Sequence, residues 1–146
     1  MTQHVERLHQ VGLKATWPRV LILAALERDR NHPTAERLHQ ALRQEYPSLS
    51  LSTVYQTLEV FLRTGLCRRV TDIADRLRVD GTPRDHDHAV CRVCGTIFDI
   101  DCEHFPLPPP PASLPHDLVV TGLRLEYEVI CVGCRTSPRA QPLEEA

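Results

Sequence analysis

The first half of the chain contains four runs of apolar residues, and residues that favour helix ends lie beside each run. Val5, Leu8 and Val11 lie on one helical face before Gly12 ends the first run. Three later runs each start just after a residue that favours the N-cap position: Thr16, Thr34, and Ser50 or Ser52. Gly65 follows the last run, where a left-handed residue commonly ends a helix. The pattern predicts four helices in a small bundle.

After Gly65 the pattern changes to short segments typical of strands, at residues 66–71 and 76–79 around a turn. Helix, turn, helix and hairpin is the order of a winged helix-turn-helix, in which the helix before the hairpin enters the DNA major groove. The positions of this helix that point outward are Ser52, Thr53, Tyr55, Gln56 and Glu59. An ordinary amphipathic surface helix would have the same pattern, so the hairpin and the local charge must decide between the two.

The second half is predicted to be rich in β-structure. A linker at 80–90 runs into a strand, a second strand ends at Asp99, and further strands are expected at 118–120 and 123–130. The prolines between 105 and 115 exclude a regular helix across most of that segment. We therefore expect an α+β chain with these parts: a winged-helix domain at 1–79, a hinge at 80–88, a small β-rich α/β domain at 89–136 and a flexible tail at 137–146.

Length and cysteine content restrict the possible compartments and stabilising devices. A chain of 146 residues can form two small domains, which bury too little surface to be stable without a further constraint.

No apolar run is long enough to cross a bilayer, and the first residues lack the order of a signal peptide, so we expect a cytoplasmic protein without a membrane partner. In a reducing compartment, the six cysteines favour metal or redox chemistry over disulfides.

The net charge of −2 conceals an uneven distribution. Residues 1–79 carry 12 Lys and Arg against 8 Asp and Glu, and the remaining residues carry 5 against 11. The resulting balance of +4 suits contact with DNA phosphates and that of −6 suits hard cations, although ordinary surfaces often show such asymmetry. The charge distribution therefore supports the DNA-binding interpretation without establishing it.

Two Cys-x-x-Cys pairs form the strongest motif of the sequence: Cys91, Cys94, Cys131 and Cys134. Each pair on a tight turn can supply two thiolates, about 2.3 Å from a shared Zn²⁺, and four thiolates leave no position for a substrate. The predicted zinc site is therefore structural, and it would constrain the small second domain. Two unrelated redox dithiols are disfavoured because a βαβ context is absent. Cys67 is interpreted as a core residue, and the role of Cys102 stays open.

A second cluster of metal-ligating residue types precedes the first zinc cysteine. His86 and His88 project to the same face of a strand, with Asp80, Asp99 and Asp101 nearby in sequence. Imidazole and carboxylate together suit Fe²⁺ or Mn²⁺ better than a thiolate cage does. A solvated loop rich in histidine and aspartate is an equally simple explanation of the residues alone.

Several segments resemble, in order and spacing, the ferric uptake regulator (Fur) family from about residue 8 to residue 135. The matching segments are 12–14, 16–19, 32–36, 51–55, the strand with His86 and His88, and both Cys-x-x-Cys turns. The resemblance implies a winged-helix DNA-binding domain, a hinge and an α/β dimerisation domain. A protein of this kind is a homodimeric, metal-dependent transcriptional repressor, not an enzyme, and has no small-molecule substrate.

The resemblance also implies a regulatory metal site with one histidine from the DNA-binding half and the other ligands from the hinge and the dimerisation half. Carried over by position, the ligands of Fe²⁺ or Mn²⁺ are His32, Asp80, His86, His88 and Asp99. Aspartate at the last position resembles the peroxide-sensing (PerR) branch, in which bound Fe²⁺ reacts with hydrogen peroxide and a ligand histidine is oxidised. The oxidised residue here would be His32 or His86.

The residues expected to contact DNA follow from the same interpretation. Base edges are expected to meet Ser52, Thr53, Tyr55 and Gln56, and phosphates Lys14, Arg19, Arg68, Arg69 and Arg76. A dimer should bind a palindromic operator.

The chain departs from the family pattern at three places. Gly122 and Leu123 stand where many relatives have histidines of an additional metal site, so that site should be missing. Prolines at 108–111 and 115 occupy the position of a dimer-packing helix, which puts the shape of the dimer interface in doubt. Gln56 replaces the Arg or Asn of many relatives, so operator preference is expected to differ.

Three other functions compete with a peroxide-sensing repressor. A sensor of manganese or iron availability would use the same ligands without peroxide chemistry. A zinc hydrolase with the His-x-His pair is disfavoured because Val90 stands where a third ligand would follow. A zinc-containing adaptor protein that does not bind DNA is the third, and it would lack a basic helix that fits the DNA major groove.

Overall fold

A computed structural model describes residues 2–70, 77–82, 86–101, 109, 115, 118–120 and 125–140. The chain divides into two compact units, Met1–Arg84 and Asp85–Ala146. None of the described helices is long and apolar enough to cross a membrane.

The first unit contains four helices: α1 (Thr2–Gln10), α2 (Trp17–Arg28), α3 (Ala35–Leu42) and α4 (Leu51–Thr64). The caps predicted from the sequence are present. The hydroxyl of Thr34 accepts a hydrogen bond from the Arg37 backbone, and that of Ser50 accepts one from the Thr53 backbone. Thr16 occupies the N-cap of α2 but makes no such hydrogen bond, and Gly65 ends α4 with a φ of 73°.

The core of the first unit lies around α2, which contacts α1, α3 and α4. Its most deeply buried side chains are Leu8, Ile22, Leu23, Leu26, Leu38, Val54, Leu58 and Phe61. Each such side chain contributes about 1.5–3 kcal/mol on burial, so their helical spacing determines how the helices pack. The polar face of α4 is left exposed as a result.

A hairpin follows α4 and completes the winged helix. Strand β1 (Arg68–Val70) pairs antiparallel with β2 (Arg78–Asp80), and the predicted turn at 72–75 lies outside the described residues. The segment before α3 also pairs with β2, because the Val79 amide donates to the Pro33 carbonyl at 3.2 Å and Thr34 forms a bridge with Arg78. This pairing holds the residues just before α3 beside the end of β2.

The second unit contains a three-stranded sheet in the order β4-β3-β5. Strand β3 (Asp87–Cys91) is antiparallel to β4 (Ile97–Ile100) and parallel to β5 (Glu126–Val129). Short 3-10 helices follow at Val132–Cys134 and Pro138–Ala140, so the tail predicted from residue 137 begins in a regular turn. Helices with a hairpin followed by a small sheet confirm the predicted α+β class.

One predicted strand is absent and another is shorter than expected. Residues 118–120 are irregular and exposed, with Val119 82% accessible. Their β-propensity is not realised because no described strand pairs with them to satisfy the backbone. The strand predicted at 123–130 covers Glu126–Val129, and residues 121–124, like most of the proline-rich segment and Cys102, lie outside the described part of the chain.

Candidate metal and DNA-binding sites

The first pair of cysteines lies on the tight turn between β3 and β4. Cys91 is the last residue of β3, and its amide donates to the Thr96 carbonyl at 2.9 Å. The Gly95 amide donates to the Cys91 carbonyl at 2.7 Å, with Gly95 in the left-handed region at φ 70°. The turn thereby returns the chain into β4 and places Cys94 next to Cys91.

The second pair reaches the first through the parallel pairing of β5 with β3. Cys91 lies opposite Val129, and the Arg92 amide donates to the Val129 carbonyl at 3.0 Å. Two residues beyond Val129, the backbone amide of Cys131 lies 3.4 Å from the Cys91 sulfur. The Cys134 amide donates to the Cys131 carbonyl, which closes the second turn.

The four sulfur atoms lie within 4.8 Å of one another, and those of Cys94 and Cys131 are 3.8 Å apart. Four Zn–S bonds of about 2.3 Å in a tetrahedron require sulfur atoms roughly 3.8 Å apart, so the cluster fits a structural zinc site. Hydrogen bonds from the amides of Cys131 and Cys94 lower the pKa of Cys91 to about 6. Hydrogen bonding with Cys131, together with burial, raises the pKa of Cys134 to about 12.

Two of the predicted regulatory ligands, His32 and Asp80, lie together in the first unit. Their ligand atoms are within 4.8 Å of each other, and the residues are 3% and 4% exposed. His32 has a φ of 50°, the one positive value for a non-glycine residue in the described part of the chain. Such a backbone conformation is costly and persists where the surroundings enforce it, often at functional sites.

The other three predicted regulatory ligands, His86, His88 and Asp99, lie together in the second unit. His88 faces Asp99 across the β3–β4 pair, and the two imidazole rings are 4.7 Å apart. The Asp99 carboxylate oxygen is 3.5 Å from Nε2 of His86 and 4.0 Å from Nε2 of His88. One carboxylate between two imidazoles is a set of ligands that suits Fe²⁺ or Mn²⁺.

The residues predicted to contact DNA bases lie on the solvent-exposed side of α4. Ser52, Tyr55 and Gln56 are exposed, whereas Thr53 is half-buried and hydrogen-bonds Ser50. A groove of about 590 Å³ separates this side from the hairpin; it is lined in part by Ser52, Tyr55, Gln56, Glu59, Arg69 and Leu77.

The predicted phosphate contacts occupy two other places. Lys14 is exposed in the α1–α2 turn, and the guanidinium of Arg19 donates to the Lys14 carbonyl at 3.1 Å, which orders that turn. Arg68 and Arg69 are exposed on β1, and Arg76 lies outside the described residues.

Two features of the sites were not found from the sequence. The hydroxyl of Tyr55 donates a hydrogen bond to the carboxylate of Glu36 on α3, and this bond raises the pKa of Tyr55. Cys67 is buried as predicted, but it also lies near Asp80, and burial together with this negative charge raises the pKa of the thiol to about 12. Both contacts join residues that are distant in sequence, so no local pattern indicates them.

Comparison with known proteins gives consistent matches. Residues 10–106 match the model of the Ferric uptake regulator family. The peroxide-responsive repressor PerR of Staphylococcus aureus is 30% identical over 135 residues, which cover 92% of this chain and 91% of the relative. A Pseudomonas aeruginosa ferric uptake regulator solved with manganese has a TM-score of 0.67 and 25% identity over 88% of this chain and 98% of that one. A Campylobacter jejuni peroxide stress regulator has a TM-score of 0.63 and 26% identity, covering 87% and 95%.

Proposed function

Because the chain belongs to the ferric uptake regulator family, we propose that it is a peroxide-sensing repressor whose DNA binding is controlled by one Fe²⁺ or Mn²⁺ ion. Family membership makes it a metal-responsive, DNA-binding regulator that works as a dimer, and not an enzyme. The zinc-hydrolase alternative is thereby set aside. Since a repressor acts where the DNA is, we place it in the cytoplasm.

One observation carries the proposal: each unit holds a compact group of nitrogen and oxygen ligands. His32 lies beside Asp80 in the first unit, and His86 and His88 flank Asp99 in the second. Two or three such ligands alone bind Fe²⁺ or Mn²⁺ weakly, whereas five satisfy most of the coordination sphere of either ion. A structural Zn²⁺ held by the four cysteines would keep the second group in place.

An ion shared by the two groups would couple metal binding to DNA binding. The metal-bound protein would favour one relative orientation of the units, in which the two recognition helices of a dimer meet successive major grooves roughly 34 Å apart. To raise the population of this orientation from about 1% to about 99%, the ion must bind it about 5.5 kcal/mol more tightly than it binds the other orientations. A palindromic operator follows from the twofold symmetry of such a dimer.

The peroxide-sensing branch is favoured by Asp99 and by the relatives named PerR and peroxide stress regulator. Bound Fe²⁺ would activate hydrogen peroxide, and the imidazole of His32 or His86 would be the net two-electron reductant. One peroxide oxygen would be inserted into a ring C–H bond, and the other would leave as water. An oxidised imidazole is a poorer ligand, so the ion and the DNA-binding orientation would be lost together.

Replacement of single ligands tests the coupling. In gel-shift titrations with Mn²⁺, His32→Ala and His86→Ala should lose metal-dependent DNA binding, whereas the control His9→Ala, an exposed residue at the end of α1, should bind like the wild type. Both ligand variants should keep their zinc. An undiminished metal response in either variant would refute the coupling.

Peroxide treatment separates the two kinds of sensor. The Fe²⁺ form should release DNA and gain oxygen on His32 or His86 in mass spectra, and the Mn²⁺ form should resist. Suppose that neither histidine gains an oxygen atom, and that Fe²⁺ and Mn²⁺ both support DNA binding under anaerobic conditions. The protein is then a sensor of metal availability.

A further inference from the structure

Helix α4, the proposed recognition helix, is linked to α3 by a hydrogen bond on its exposed side. The hydroxyl of Tyr55 donates to the carboxylate of Glu36, which lies in the first turn of α3. Tyr55 is 40% exposed, so its ring projects from the surface while its polar end is held. The hydrogen bond also raises the pKa of Tyr55, as expected when a carboxylate accepts the phenolic proton.

We propose that Glu36 is a positioning residue that fixes the Tyr55 ring for base readout; the inference rests on the proposed DNA-binding function. Because the single hydroxyl proton of Tyr55 is donated to Glu36, Tyr55 has no donor left for a base acceptor. It therefore reads DNA through the apolar ring, the kind of contact that recognises the methyl group of thymine.

Glu36 affects DNA binding in two ways that can be told apart: it holds the Tyr55 ring, and its negative charge repels phosphates. A carboxylate on a surface that meets phosphates weakens all DNA binding, regardless of sequence. Removing Glu36 should therefore strengthen binding to non-operator DNA. A Tyr55 ring that is no longer held in place should weaken binding to the operator. The entropy cost of ordering that side chain must then be met when the protein binds DNA. The two effects have opposite signs on the two kinds of DNA.

The full-length protein loaded with Mn²⁺ provides the test. The operator probe is a duplex selected by the wild type from a random-sequence pool, and the non-operator probe is a scrambled duplex of the same composition. Glu36→Ala and Tyr55→Phe should each lower the ratio of operator to non-operator affinity about fivefold, the change that one net hydrogen bond of about 1 kcal/mol produces. Glu36→Gln, which keeps an acceptor for the hydroxyl, should stay near the wild-type ratio of operator to non-operator affinity.

Two comparisons make the result decisive. Glu59→Ala removes the same charge from an exposed position of α4 one turn after Tyr55, and for Glu59 no hydrogen bond or ion pair is found in the described residues. It should strengthen binding to both probes and keep their ratio. The double variant Glu36→Ala/Tyr55→Phe should lower the ratio of operator to non-operator affinity no more than either single variant, since the hydrogen bond between the two residues is lost in each.

Additive losses in the double variant, or equal ratios for Glu36→Ala and Glu59→Ala, would overturn the positioning role. If Glu36→Ala does not fold, Glu36→Gln and Tyr55→Phe still decide the question, and equal losses in these two would contradict the inference. Failure of the wild type to select any duplex would instead count against the proposed function itself. A spectrophotometric titration checks the hydrogen bond directly, because the pKa of Tyr55 should fall in Glu36→Ala.

Discussion

Removal of one zinc ligand should unfold the second unit and leave the first unit folded. Cys131 joins β5 to the end of β3, since its amide lies 3.4 Å from the Cys91 sulfur and its own sulfur is 3.8 Å from that of Cys94. Replacement by serine takes away a thiolate that a hydroxyl cannot match as a zinc ligand. Without these zinc–sulfur bonds, only the hydrogen bonds of the parallel pairing hold β5 against β3.

The size of the effect follows from how little apolar surface the sheet buries. Val90 and Ile97 are the largest buried apolar side chains among the described residues of the second unit, and each contributes about 1.5–3 kcal/mol. A structural Zn²⁺ contributes about 10–16 kcal/mol at neutral pH. We therefore expect the sheet to depend on such an ion, whereas the first unit has its own core of leucine, valine and phenylalanine side chains.

Metal analysis and limited proteolysis check this prediction in Cys131→Ser. The variant should contain almost no zinc, and cleavage should occur throughout the second unit while a fragment of the first unit persists. Cys67→Ala is the matched control, because Cys67 is buried in the core of the first unit and is not one of the four clustered cysteines, so its zinc content should be unchanged. A zinc-free Cys131→Ser protein with a protease-resistant second unit would refute the assigned role of the ion.

Two further predictions concern the stability of the first unit. A Cβ added at Gly81 would lie 2.6 Å from Cγ of Leu26 and 3.2 Å from its backbone, so Gly81→Ala should cost about 1–3 kcal/mol and lower the melting temperature by several degrees. Gly133→Ala, where nothing lies within 4 Å, should leave the melting temperature unchanged, and equal effects would contradict the packing argument. Ser50→Ala removes a hydrogen bond to the α4 backbone and should cost about 1 kcal/mol in thermal unfolding. Thr16→Ala removes no cap hydrogen bond and should cost less; the reverse order would show that the cap is not responsible.

The elements with a strong local signal could be predicted from the sequence. Helices α2, α3 and α4 each follow a capping residue, all four helices contain a run of apolar residues, and the four clustered cysteines occur at the spacing that tight turns require. Gly65 was placed correctly because only a left-handed residue fits after α4. These features depend on neighbours within a few residues, which a sequence pattern records.

Features that depend on contacts between distant residues could not be predicted in this way. The parallel pairing of β3 with β5 joins residues about forty positions apart, as the contact between Cys131 and Cys91 illustrates. The strand expected at 118–120 failed because β-propensity does not guarantee a partner. His32 could be predicted as a ligand only from the family resemblance, because its proximity to Asp80 depends on the pairing of Pro33 with Val79, two residues that are distant in sequence.

The proposed regulatory switch requires one ion that takes ligands from both units. Anomalous diffraction at the manganese edge from crystals of the Mn²⁺-loaded protein would locate that ion. We predict one manganese peak within bonding distance of His32 and Asp80 and also of His86, His88 and Asp99. Manganese bound by the residues of one unit alone, with His32 outside its coordination sphere, would refute the proposed coupling of metal binding to DNA binding.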